Sequence, residues 1–150
     1  MIKEIDITNK DMAEQVLKVQ IPSYKVEADM INFYDIPPLK DSIASLQRSE
    51  EIYYGYYVGN ELAGVISYEI EASVLTICRM NVHPDYFRKG IASALITYLI
   101  DLNLDVKKVI VSTGRDNNPA KKLYLKHGFT EVADIEVVKD VFITKLQRII

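Results

Sequence analysis

The chain has 150 residues, a net charge of −3 and a hydrophobic content of 49%, enough for one domain with a real core. No apolar run approaches a membrane span, and an acidic chain without a basic aromatic platform argues against nucleic acid as a partner. The lone Cys78 cannot form an internal disulfide and the N-terminus lacks a secretion signal's apolar core, so the expected compartment is the cytoplasm.

Ile2 to Ile7 reads as a first strand. Thr8 followed by Asp11 resembles a capping box, opening a helix with Ala13, Val16, Leu17 and Gln20 on one face. Pro22 is expected to stop that helix, and Pro37-Pro38 marks a second break before a short helix to about Arg48. Ile52 to Val58 and Leu62 to Ile70 flank Gly59-Asn60-Glu61 as a hairpin, and Leu75 to Val82 is the next strand. Tyr53, Tyr54, Tyr56 and Tyr57 should alternate between the core and a solvent or substrate face.

A helix is expected from Gly90 to Asn103, burying Ile91, Leu95, Leu99 and Leu102. Strand Lys107 to Thr113 then returns parallel through a right-handed crossover. Asn118 as N-cap, Pro119 at the first position and Gly128 after the last turn bound another helix. That helix carries Ala120, Leu123, Tyr124 and His127 on one face. Two further strands, broken near Lys139-Asp140, complete the sheet. With no repeat or linker, residues 1–150 read as a single α/β domain.

Two segments carry chemistry. Val82 to Ala92 reads as a strand end, a tight loop and the first turn of a helix, an arrangement that suits a diphosphate. It is neither a dinucleotide fingerprint nor a P-loop, because the next glycine is Gly114 and no Gly-Lys-Ser/Thr follows. From Arg88 to His127 eight Lys/Arg face three Asp/Glu, a net +5 that leaves −8 elsewhere and suits a polyphosphorylated ligand. Lys107, Lys108, Arg115, Lys121 and Lys122 are candidate phosphate contacts, or simply solvated charges.

Together the segments resemble the GCN5-related N-acetyltransferase (GNAT) superfamily. Its Gln/Arg-x-x-Gly-x-Gly/Ala signature stands here as Phe87-Arg88-Lys89-Gly90-Ile91-Ala92. Its Asn-x-x-Ala-x-x-Leu-Tyr and closing Gly-Phe stand as Asn117, Ala120, Leu123, Tyr124 and Gly128-Phe129. The resemblance covers roughly residues 62 to 129, and Phe87 departs from it, removing one polar contact.

The resemblance implies a mixed central β-sheet with two splayed parallel strands, flanked by helices. It also implies acetyl transfer from acetyl-CoA to a primary amine of a small molecule or peptide. The coenzyme would pair with strand backbone at Met80 and Val82. Its pyrophosphate would sit on the backbone of Arg88, Lys89, Gly90, Ile91 and Ala92, with Asn117 and Tyr124 also in contact. Tyr124 matches the family's tyrosine that protonates the departing thiolate.

The family's strand glutamate is matched here by Thr76. Glu69 and Glu71 remain as candidate general bases, or as solvated strand-end charges. A non-catalytic acyl-CoA-binding sensor is therefore a second reading. The family often dimerises, so a homodimer is a candidate assembly. Tyr34 and Asp35 lie in the variable region where the family builds its acceptor pocket. His83, His127 and Cys78 lack metal-ligand spacing, so no metal is expected.

Overall fold

In the computed structural model, which describes residues 1–150, seven strands form one mixed sheet. They are β1 (Ile2–Ile5), β2 (Ile52–Val58), β3 (Glu61–Glu71), β4 (Val74–Val82), β5 (Lys108–Gly114), β6 (Thr130–Val138) and β7 (Val141–Ile149). Their order is β1-β2-β3-β4-β5-β7-β6. Only β4 and β5 are parallel neighbours; every other pair is antiparallel. The helices are α1 (Lys10–Ile31), α2 (Ile43–Gln47), α3 (Ile91–Asp101) and α4 (Asn118–Lys126).

The sheet is covered on both faces. Ala13, Val16 and Val19 of α1 and Leu46 of α2 pack with Ile5, Tyr53, Leu62 and Val65 on one side. On the other, Ile91, Leu95, Ile96 and Leu99 of α3 and Tyr124 of α4 pack with Ile66, Tyr68, Ile77 and Val111. This corrects the expectation for the tyrosines of β2. Tyr53 and Tyr57 face the first core, Tyr54 and Tyr56 the second, so they alternate between two cores. Tyr53 is fully buried and the other three are half-buried, so the strand is covered in part on both faces.

Four boundaries also differ. β1 stops at Ile5 because the Asp6 carboxylate accepts the N–H and hydroxyl of Thr8, at 3.1 and 2.6 Å. Thr8 is thereby taken up, and Asn9 caps α1 instead, its Oδ1 accepting from Met12 N at 3.1 Å. Pro22 does not stop α1, which runs through it to an αL cap at Asn32. An interior proline removes one helical bond and crowds the preceding turn, at a cost of about 3 kcal/mol. Burial of Ala13, Val16, Val19 and Gln20 before it and Ala28 after it holds both halves against the sheet. At α4 the cap is Asn117, not Asn118: its Oδ1 accepts from Ala120 N at 3.3 Å.

The functional geometry starts from a β-bulge. Ser67 pairs with Arg79 and Tyr68 with Ile77, which leaves Cys78 as the extra residue on β4. A bulge bends its strand and increases local twist. The β4–β5 ladder covers only Val74–Thr76 against Lys108–Ile110, whereas β5 stays paired with β7 from Lys108 to Gly114. Beyond Thr76 the two parallel strands separate, as the family resemblance implies.

Candidate functional site

The opening between β4 and β5 continues into a cleft of about 550 Å³, floored by both strands and walled by α1, α3 and α4. At one end lies the loop into α3. His83 Nδ1 accepts from Asp85 N at 3.1 Å and turns the chain out of β4. Arg88 then adopts φ +62° and Gly90 φ +76°. A left-handed arginine is uncommon, and such strain concentrates at functional sites. No atom lies within 4 Å of a Cβ built on Gly90, so the fold requires glycine there for its φ alone.

Gly90 offers no side-chain cap, and the first α3 bond runs from Ala94 N to Gly90 O. The N–H groups of Ile91, Ala92 and Ser93 therefore lack intrahelical acceptors, at the positive end of the helix dipole. This is an anion-binding geometry. Next to it, the β4 edge from Ile77 to Val82 faces the opening without a ladder partner on β5.

Tyr124 marks the far end. Only 4% exposed, it packs its ring 5.6 Å from that of Phe129 and lines the cleft. Burial raises its phenol pKa well above the ordinary value, with further upward contributions from Tyr24 and Glu27. Asn117 links this end to α1. While Oδ1 caps α4, Nδ2 donates to Glu27 Oε1 at 3.2 Å and to Thr113 Oγ1 at 3.3 Å. Glu27 Oε1 also accepts from Thr113 Oγ1 at 3.0 Å and Gly114 N at 3.4 Å.

Of the residues singled out from sequence, Met80, Val82, Arg88, Gly90, Ile91, Ala92, Asn117 and Tyr124 all line this cleft. Lys89 does not; its Nζ lies 5.8 Å from the Tyr86 ring centroid. Glu69 and Glu71 are exposed and outside the cleft, opposite Thr76 and Val74. At that level β4 is still joined to β5 and the sheet is closed.

Tyr34 and Asp35 are outside as well, Tyr34 donating to Asp29 at 2.6 Å and Asp35 paired with Lys40. Among the candidate cations, Lys121 pairs with Glu131 at 2.8 Å and Arg115 covers the Phe142 ring at 4.0 Å. The cations that line the cleft are Arg88 and Lys126. Arg79 is held by Glu51 and by Asp41 at 3.0 Å. Cys78 lines the cleft, but burial, reinforced by the charges of Glu51 and Glu69, pushes its thiol up to about 12. It stays protonated and is a poor nucleophile.

Sequence reading missed Tyr24, Glu27, Asn81 and Lys126. Expecting α1 to end at Pro22 removed Tyr24 and Glu27 from view. Asn81 carried one legible signal, an uncharged polar residue inside the apolar end of a strand. It is 3% exposed, and neither Oδ1 nor Nδ2 has a partner.

The model of the acetyltransferase (GNAT) family matches residues 14–129. The UPF0157 protein YqkA of Bacillus subtilis (strain 168) is 40% identical over 144 residues, which are 96% of this chain and 42% of that protein. The uncharacterized N-acetyltransferase SAB1040c of Staphylococcus aureus (strain bovine RF122 / ET3-1) is 28% identical over 95 residues, 56% of this chain and 61% of that protein. The chain thus spans less than two thirds of the length of these relatives. Among solved structures, PaiA N-acetyltransferase from Thermoplasma acidophilum in complex with coenzyme A superposes with a TM-score of 0.75 at 17% identity. That likeness of fold covers 100% of this chain and 99% of the other.

Proposed function

The chain belongs to the acetyltransferase (GNAT) family, and from that premise we propose that it transfers an acetyl group from acetyl-CoA directly to a primary amine. The observation that carries this reading is the cleft itself. It joins an uncapped helix N-terminus, an unpaired strand edge and a buried tyrosine in one continuous opening.

Acetyl-CoA supplies the activated acyl group. The Ile91, Ala92 and Ser93 amides would hold its pyrophosphate, with Arg88 adding positive charge at the loop. Backbone groups at Met80, beside the Tyr24 hydroxyl, and at Val82 have no ladder partner on β5 and would pair with the pantetheine arm as a further strand does. An N–H of that edge would stabilise the negative charge developing on the thioester oxygen. A neutral amine then attacks the thioester carbon, the C–S bond breaks as the C–N bond is completed, the nitrogen sheds its extra proton to water, and the coenzyme leaves as a thiolate that accepts a hydrogen bond from Tyr124. Burial pushes the Cys78 thiol up and makes it a poor acyl acceptor, which supports direct transfer.

Glu27 is the acidic residue that lines the cleft, and it is the better candidate than Glu69 or Glu71 to hold and deprotonate the acceptor ammonium.

Calorimetric titration tests the site first. Acetyl-CoA should bind in the micromolar range, and 3′-dephospho-CoA more weakly. No binding of either would reduce the loop at Arg88 to a connection and remove the enzyme reading.

A further inference from the structure

We propose that Asn81 and Glu27 form the acceptor subsite and select a primary amine carried beside a neutral amide, as at the N-terminus of a peptide, over a free amino acid or a simple alkylamine. This rests on the reading of the cleft as an acetyl-CoA-dependent N-acetyltransferase.

Asn81 is the starting point. Its side chain lines the cleft at 3% exposure, with donor and acceptor both unpaired. A buried polar atom left unsatisfied forfeits its hydration without recompense, so the amide calls for an occupant with both an acceptor and a donor. The carbonyl and N–H of a second amide supply that pair. Tyr24, from α1, stands beside Asn81 and the Met80 backbone, near enough for both to draw its phenol pKa downward against the larger effect of burial, yet neither Asn81 Oδ1 nor Nδ2 has a partner in hydrogen-bond geometry.

Alternation along β4 puts Asn81 on the same face as Arg79, which joins Glu51 and Asp41 below α1 and α2. Val82 points to the opposite face, into the core beneath α3. The subsite therefore opens toward α1, while the anion-binding turn belongs to α3. The two substrates meet across the strand edge rather than competing for one wall.

Charge narrows the class. Glu27 Oε1 takes all three protein donors, leaving Oε2 for an ammonium. A carboxylate beside that ammonium would find no uncompensated positive charge on this face, because Arg79 is already paired with two acids and only its buried Nε lacks a partner. It would also face Glu27. An alkylamine would satisfy Glu27 yet leave the Asn81 amide unpaired. A neutral amide meets both requirements.

The test compares alaninamide, alanine and 2-aminobutane as acceptors, following release of the coenzyme thiol and expressing rates per neutral amine. In the wild type, kcat/KM for alaninamide should exceed that for 2-aminobutane by about tenfold or more, chiefly through KM, with alanine the poorest. In Asn81→Leu the ratio of amide to alkylamine should fall to within about threefold. Equal use of alaninamide and 2-aminobutane by the wild type overturns the proposal, and that comparison needs no variant to fold. So does an Asn81→Leu enzyme that keeps the full preference, which would leave Asn81 contacting only water. Coenzyme binding without acetylation of alaninamide overturns the subsite alone, whereas failure to bind acetyl-CoA overturns the enzyme reading with it.

Discussion

A phenol that is 4% exposed, with Tyr24 and Glu27 close by, holds its proton far more tightly than the ordinary value near 10 would suggest. Desolvation disfavours the phenolate, and nearby negative charge disfavours it further. A thiol near ~8.5 is the stronger acid, so complete transfer from Tyr124 to the leaving sulfur is uphill by about 1.4 kcal/mol for each unit of difference. The group is suited to donate a hydrogen bond as charge builds on sulfur. Tyr124→Phe should accordingly lower kcat by about 10–100-fold and leave acetyl-CoA affinity within about twofold, read by steady-state kinetics and calorimetry. The sign of the pH dependence follows from the same shift. A raised phenol remains protonated below its folded-state pKa, so kcat/KM should climb as the amine loses its proton and show no descending limb up to pH ~10. A wild-type descending limb at pH 9 to 10 that disappears in Tyr124→Phe would contradict this environment.

At the scale of elements, the second half of α1 decides what the acceptor meets. Its end is fitted against β5 at Gly114, where an added Cβ would lie 2.5 Å from Ile31 Cγ2. The same glycine donates its N–H to Glu27. Gly114→Ala should therefore push α1 outward and weaken the Glu27 bonds. We expect a loss of about 1–3 kcal/mol in denaturant unfolding and a severalfold higher KM for the amine. Coenzyme affinity should change little, and an unchanged amine KM would mean that α1 is not the acceptor wall. This segment was hidden in the sequence because a proline normally ends a helix, and what carries α1 past Pro22 is long-range packing. The strands, α3 and α4 were legible because alternation, caps and turn residues act locally. The cap of α4 shows the limit: Asn117 and Asn118 are equally good residues, and only the geometry at Ala120 chooses between them. Asn81, for all its one signal, and Glu27 escaped the sequence reading for a related reason. An isolated polar residue becomes informative only when its neighbours in space leave it unpaired or bind it on one oxygen alone.

For the whole molecule, the cleft is also the weakest seam. β1 to β4 and β5 to β7 are joined in the sheet through only Val74–Thr76 and Lys108–Ile110, and the separating strands leave backbone groups of β4 without partners. A ligand that fills the opening would bridge β4, the α3 turn and α4, and so bind the folded state alone. At about 100 times its Kd, such a ligand stabilises by ~2.7 kcal/mol. For a domain of this size each kcal/mol raises Tm by about 2–4 °C, so saturating acetyl-CoA should raise Tm by about 5–10 °C. The charge distribution adds a second signature. The +5 segment from Arg88 to His127 lies in a chain of net charge −3, so high salt should shrink the shift by screening its attraction for phosphate. In hydrogen exchange, protection should increase at residues 78–82 and in the first turn of α3, where free amides acquire acceptors. A Tm shift without that local protection would mean binding elsewhere on the basic surface. Protection confined to those two segments would identify the seam between the sheet halves as the coenzyme site.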